Sequence, residues 1–132
     1  MTVKCIRKSD IGTEEGQITV GNTYLVLEII FPRKQELKCS YRILNNSGIP
    51  CIYPAESFEI QSNRLDDMVI TESSTGIIIT HERIATAFCE NINGFWADFF
   101  ESDNFEVNSV AEKVVEDLNR CAKLDIPDIT VG

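Results

Sequence analysis

Tyr41-Arg42-Ile43-Leu44, then Asn45-Asn46-Ser47-Gly48, then Ile49-Pro50-Cys51-Ile52-Tyr53 is the stretch from which the fold of this chain is read. The central Asn and Gly residues tolerate the positive φ of a tight turn, and residues 38–44 and 49–53 on either side are short β-branched and aromatic runs, so the segment predicts a β-hairpin. Upstream, Thr23-Tyr24-Leu25-Val26-Leu27-Glu28-Ile29-Ile30-Phe31 reads as a long strand ended by Pro32, and residues 34–38 as a charged loop. Gly21-Asn22 is a turn signal, Ile18-Thr19-Val20 a short extension before it, and residues 8–17 a polar loop punctuated by Gly12 and Gly16. Residues 3–7 supply a first strand. Downstream, Pro54-Ala55-Glu56-Ser57 suits one helical turn and Phe58-Glu59-Ile60 a further strand.

The second half has a different rhythm. Residues 68–72 and 76–80 bracket Ser73-Ser74-Thr75-Gly76, which predicts another hairpin. Thr80 is expected to cap a helix with Ile84, Ala85, Ala87, Phe88 and Ile92 on one apolar side, ended by Gly94. Phe95-Trp96-Ala97-Asp98-Phe99-Phe100-Glu101 is the densest aromatic cluster, with a period that fits strand and helix equally. Ser109-Val110-Ala111-Glu112 fits a capping box that opens a helix to about Lys123, with Val110, Ala111, Val114, Val115, Leu118, Cys121 and Ala122 on one stripe. The tail from Asp125, which contains Pro127, is expected to be extended.

Val3-Lys4-Cys5-Ile6, Thr19-Val20-Gly21-Asn22-Thr23-Tyr24-Leu25-Val26, Tyr41-Arg42-Ile43 through Gly48, and Tyr53-Pro54-Ala55-Glu56-Ser57-Phe58-Glu59-Ile60 resemble the compact SH3-like domains of short bacterial and phage proteins. The resemblance implies an α+β chain: an SH3-like barrel in residues 1–61, then an acidic α/β extension in residues 62–132. That extension comprises a hairpin and two or three helices, the last amphipathic, with the whole packed as one unit. Proline-peptide binding does not follow from it, because the aromatic-rich segment and Trp pair that grip polyproline helices are missing and Trp96, the sole tryptophan, lies outside the barrel region.

Residues 1–61 balance seven Lys/Arg against seven Asp/Glu, whereas residues 62–132 hold five against fourteen and account for the whole net charge of −9. Such a surface repels nucleic acid and anionic membrane and attracts basic partners. The longest apolar runs fall far short of the roughly 20 residues that span a bilayer. The opening Met1-Thr2-Val3-Lys4-Cys5-Ile6-Arg7-Lys8 has charges where a signal peptide needs an apolar segment, so a cytoplasmic protein is expected. Cys5, Cys39, Cys51, Cys89 and Cys121 are never in a Cys-x-x-Cys pair; they read as small buried hydrophobes rather than as a zinc site or disulfide framework.

His81 is the only histidine, and Cys89 would lie about 12 Å along the same helix, too far for a dyad. Glu101-Ser102-Asp103-Asn104 with Glu106 lacks the alternation and central Gly of a calcium loop, and Asp66-Asp67 is read as a loop or cap. With no nucleophile–base pair, phosphate loop or metal cluster, a binding protein is expected, without catalytic, cofactor or metal residues. Phe95, Trp96, Phe99 and Phe100 beside acids have the composition of a hot spot, so Trp96, Asp98, Glu101, Asp103 and Glu106 are the candidate partner-binding residues. In size and charge the chain resembles bacterial immunity proteins that neutralise nuclease toxins, which implies an acidic inhibitor of a basic toxin domain. Two other readings stand beside it: an SH3-like accessory module docking on a larger assembly, and an enzyme whose site assembles from residues distant in sequence.

Overall fold

A single strand of ten residues, Thr23–Pro32, carries most of the architecture of the computed structural model, which describes residues 1–7, 18–34, 38–62, 65, 67–73, 76–87, 89 and 94–123. The loop at residues 8–17, Asp66 of the Asp66-Asp67 pair, Ser74 and Thr75 of the second turn, Phe88, Ile92 and the tail from residue 125 lie outside the described residues. The strands are β1 (Thr2–Cys5), β2 (Thr23–Pro32), β3 (Ser40–Leu44), β4 (Pro50–Pro54), β5 (Phe58–Ser62), β6 (Met68–Ser73) and β7 (Gly76–His81), with a 3-10 turn, Ala55–Ser57, before β5. The helices are α1 (Glu82–Ala85), α2 (Phe95–Glu101) and α3 (Phe105–Lys123). The protein is thus α+β, with an open sheet.

The ladder path runs β4-β3-β2-β1-β5, and β7 joins β2 and carries β6. Every register among β1–β5 and between β2 and β7 is antiparallel. Residues 23–25 of β2 pair with β1, whereas residues 28–32 pair with β7, so one strand serves two partners in succession along the same side. A bulge makes this workable: Val26 faces Ile43 and Glu28 faces Arg42, which leaves Leu27 as the extra residue. Bulges bend and over-twist a strand. Here it also re-phases the pleat, so Tyr24 and Val26 before it and Ile29 after it all enter the same core. The β6–β7 hairpin adds two strands beyond those of residues 1–61, and the chain divides into two compact units at Thr80/His81.

The core of the first unit is built around Phe58, the first residue of β5. Its ring meets Tyr24 of β2 (6.5 Å, 82°), Tyr41 of β3 (6.0 Å, 57°) and Tyr53 of β4 (6.3 Å, 75°). These mostly edge-on contacts suit aromatic quadrupoles. β4 and β5 are the two ends of the ladder path, and Tyr53 and Phe58 meet across the 3-10 turn that joins them. Val3, Cys5, Ile18 and Ile43 complete the cluster.

The hairpin turn behaves as its sequence dictates. Asn45 is buried, and its Oδ1 accepts from the Ser47 and Ile49 amides (both 3.0 Å), while Gly48 takes the left-handed φ of 75°. The Tyr24 hydroxyl accepts from the Thr19 amide at 2.6 Å and donates to Asn46 Oδ1 at 2.7 Å, tying the 19–22 turn to the hairpin. At the second hairpin Gly76 meets Pro32, and a Cβ there would collide with the Phe31 carbonyl oxygen. On the opposite side of the pleat from Val26 and Ile29, buried Glu28 and half-buried Arg42 form an ion pair at 2.8 Å.

Phe58→Ala in the full chain is expected to cost about 3–5 kcal/mol, the range for emptying an aromatic core site, measured by chemical denaturation. Tyr24→Phe, which keeps the ring but removes the hydroxyl bridge, should cost only about 1–2 kcal/mol. A value for Phe58→Ala below that of Tyr24→Phe would contradict the central role of the ring.

Burial pushes the Tyr41 and Tyr53 hydroxyls above their ordinary value of 10.0, with the Cys39 and Cys51 thiols adding to the shift. The folded state therefore holds these protons after the unfolded chain has released them. Their contribution to stability is complete below pH 10 and is lost as pH rises through the folded values. Alkaline titration followed by tyrosinate absorbance should show these two tyrosines ionising together with loss of tertiary structure, whereas independent titration at the ordinary value would contradict their burial.

Candidate functional site

The local signals of the second unit are set by caps. Thr80 does not cap α1: it is buried at the end of β7, where its hydroxyl donates to the Leu27 carbonyl at 3.4 Å. His81 is the N-cap, its Nδ1 accepting from the Arg83 amide at 3.1 Å. The helix ends after one turn, because Thr86 returns both its amide and its hydroxyl to the Glu82 carbonyl. Gly94, expected to end that helix, instead precedes α2 with φ 93°.

The aromatic cluster resolves as helix. Trp96 reaches Phe99 (5.8 Å) and Phe100 (6.3 Å) one turn on, the i,i+3 and i,i+4 spacing. Phe95 is buried, Trp96 and Phe99 are half-buried and Phe100 is exposed, so the cluster divides between core and surface. Asp98 is 4% exposed, in contrast to the rim charge expected for it. Glu101, Asp103 and Glu106 do lie at the surface.

α3 starts one turn before the expected capping box. Asn104 caps it, its Oδ1 accepting from the Glu106 amide (2.9 Å) and the Val107 amide (3.5 Å), while Ser109 falls inside the helix. Asn104 itself is held by Ser102, whose hydroxyl accepts from its amide at 3.1 Å. The Asn108 side chain donates to the Phe99 and Asp98 carbonyls in the last turn of α2. This three-residue connection makes α2 and α3 a tight helical pair. The expected stripe is buried at Ala111, Val114, Val115, Leu118 and Cys121, but Val110 is 65% exposed.

Between these elements lies a groove of about 240 Å³. Val107, Val110, Ala111 and Val114 of α3 form one wall, Phe95 and Ala87 add to the apolar lining, and Asp98, Asn104 and Glu106 are its polar residues. Two of the five candidate residues thus meet at one cavity, Glu101 and Asp103 lie in the adjoining segment, and Trp96 is not among the lining residues.

Charge is segregated along the unit. Residues 81–132 hold eleven Asp/Glu against four Lys/Arg. Three of those four, Arg83 (3.4 Å), Lys113 (3.7 Å) and Arg120 (3.3 Å), converge on the buried Asp117. Asp117 is eleven residues beyond Glu106, about 16 Å along the helix axis. Residues 84–112 carry six acids and no Lys or Arg at all. The groove lies along the first half of α3, mostly within this stretch.

Burial raises the Cys89 thiol above its ordinary 9.0, and the Asp98 carboxylate raises it further. A thiol kept protonated is a poor nucleophile. Among the described residues no three His, Cys, Asp or Glu side chains gather as a metal ion would require, and no helix is long and apolar enough to cross a membrane. Compared with protein-family models, with curated proteins and with solved structures, the chain matches none.

The position of the α3 cap is directly testable. Asn104→Ala should destabilise the chain by about 1 kcal/mol, as loss of an N-cap does, while Ser109→Ala in the helix interior should be close to neutral. The reverse order in thermal or denaturant unfolding would place the helix start at the capping box instead.

Proposed function

We propose that this chain is a non-catalytic binding protein that presents its acidic helical unit to a basic protein partner, in the manner of an immunity protein neutralising a basic toxin domain such as a nuclease. The observation that carries this reading is residues 84–112: six acids, no base, and an apolar groove in their midst. Exposed Glu101, Asp103 and Glu106 supply the steering field, and Phe95, Val107 and Val110 the desolvated surface on which a hot spot depends. A surface that holds nucleic acid presents cations to the phosphates, and an inhibitor of opposite charge competes for that surface. In this reading the first unit is an SH3-like scaffold. Support for that comes from the order β5-β1-β2-β3-β4, the 3-10 turn before β5 and the Phe58 contacts that draw the sheet ends together.

A second reading, docking of the sheet on a larger assembly, draws support from Phe31 and Ile77, which face each other across β2 and β7 and are 41% and 43% exposed. Association kinetics against a panel of basic nuclease domains separates the two. For the domain that is bound, the association rate is expected to fall by about tenfold or more between low and high salt. Glu101→Lys, Asp103→Lys and Glu106→Lys together should slow it comparably, and nuclease activity should be inhibited at stoichiometric ratio. Binding that is insensitive to salt and to these changes, yet lost on Phe31→Glu, would transfer the interface to the sheet.

A further inference from the structure

We propose that β6 is an interaction edge at which a second copy of this chain adds its own β6, antiparallel, about a two-fold axis at Ile70. The proposal rests on the first unit alone and is independent of the basic partner proposed above. Among the described residues three strands have a ladder on one side only: β4 on β3, β5 on β1 and β6 on β7. A strand edge offers a row of backbone N–H and C=O groups, and folded proteins blunt it with prolines, bulges or charge. β4 begins and ends in proline, Pro50 and Pro54, neither of which has an N–H to donate. β5 is bulged: Val3 faces Ile60 and Thr2 faces Ser62, so Gln61 is the extra residue. β6 has neither device. Met68-Val69-Ile70-Thr71-Glu72-Ser73 contains no proline, glycine or basic residue, and its one charge, Glu72, is ion-paired to Arg33 at 2.6 Å.

What fits this edge follows from its own sequence. Ile70, in the middle of β6, is 71% exposed. A two-fold interface sets a patch against itself. With the axis at Ile70 the two isoleucines face each other, Thr71 faces Val69 of the second copy and Glu72 faces its Met68, so no like charges are opposed within the strand. Moving the axis one residue on, to Thr71, would set Ile70 against Glu72 and forfeit the apolar pair. The distribution of charge also favours a second copy here. Residues 1–80 hold eight Lys/Arg against ten Asp/Glu, a net charge of −2, whereas residues 81–132 carry −7. Self-association of so acidic a chain is least opposed through its near-neutral unit.

Sedimentation velocity of the full chain tests this. A ladder of six residues is a small interface, so dimer is expected to form over about 10 μM to 1 mM, with little dependence on salt. Ile70→Lys, at a site exposed enough for the fold to tolerate, sets two cations against each other and should weaken dimerisation about tenfold. Ile52→Lys on β4 and Ile60→Lys on β5, both exposed, mark the other two edges and should leave it unchanged. Isotope-filtered NMR on a mixture of labelled and unlabelled wild-type chain should give contacts between copies at residues 69–71, a readout that depends on no variant. A chain that stays monomeric up to about 1 mM overturns the inference. So does a dimer that a folded Ile70→Lys leaves intact, or one whose inter-copy contacts lie on β4, β5 or the helical unit instead. A monomeric chain whose β6 amides shift only when a basic domain is added would assign the edge to a foreign strand, and overturns it likewise.

Discussion

The ring of Phe58 is the constraint on which the first unit depends. Hydrogen bonds alone leave its sheet open, because the path from β4 to β5 has no ladder joining its ends. Phe58 touches a tyrosine from each of β2, β3 and β4. Three strands that enter the sheet at different points in the chain are thereby given one common contact. The Leu27 bulge serves the same end, since without the change of phase Ile29 would turn away from the core that Tyr24 and Val26 enter. Non-local contacts of this kind cost loop-closure entropy before they return any stability, so the aromatic cluster is expected to form late and cooperatively.

In the second unit the governing interaction is electrostatic. Asp117 occupies a buried position on α3, where an unpaired carboxylate would be costly, and it recruits Arg83, Lys113 and Arg120. This satisfies one acid and, in the same step, draws three of the unit's four cations to one position on α3. Glu101, Asp103 and Glu106 remain as exposed negative charge beside an apolar groove. Folding thus converts a diffuse compositional excess into a localised one, and the localised excess is what a basic partner would sense at distance.

How much of this was legible in the sequence depends on the range of the interactions involved. The 45–48 turn, the long strand ended at Pro32 and the existence of a last helix to Lys123 follow from local chemistry, although that helix begins a turn earlier than its sequence suggests. Caps are less legible, because a capping residue is recognisable only if its side chain is free to cap. Thr80 was a good candidate until its hydroxyl found a carbonyl 53 residues away, and Ser109-Val110-Ala111-Glu112 fits a capping box although Asn104 opens the helix a turn earlier. Asp98 reads as a surface charge in any linear pattern, and nothing near it in sequence announces its burial. Asp117 was equally hidden, since its partner Arg83 is 34 residues distant. The acidic bias of the second half was plain from composition, but its separation from the basic residues required the fold.

The central claim is that negative charge concentrated at the α2–α3 end of the helical unit selects a basic partner. An amide chemical-shift map of the full chain titrated with hexa-arginine peptide, at low and then at high salt, tests it most directly. The account predicts perturbations concentrated in residues 94–110 that fade as salt is added. Perturbations centred on the strands, or shifts around residues 94–110 that persist unchanged at high salt, would contradict it.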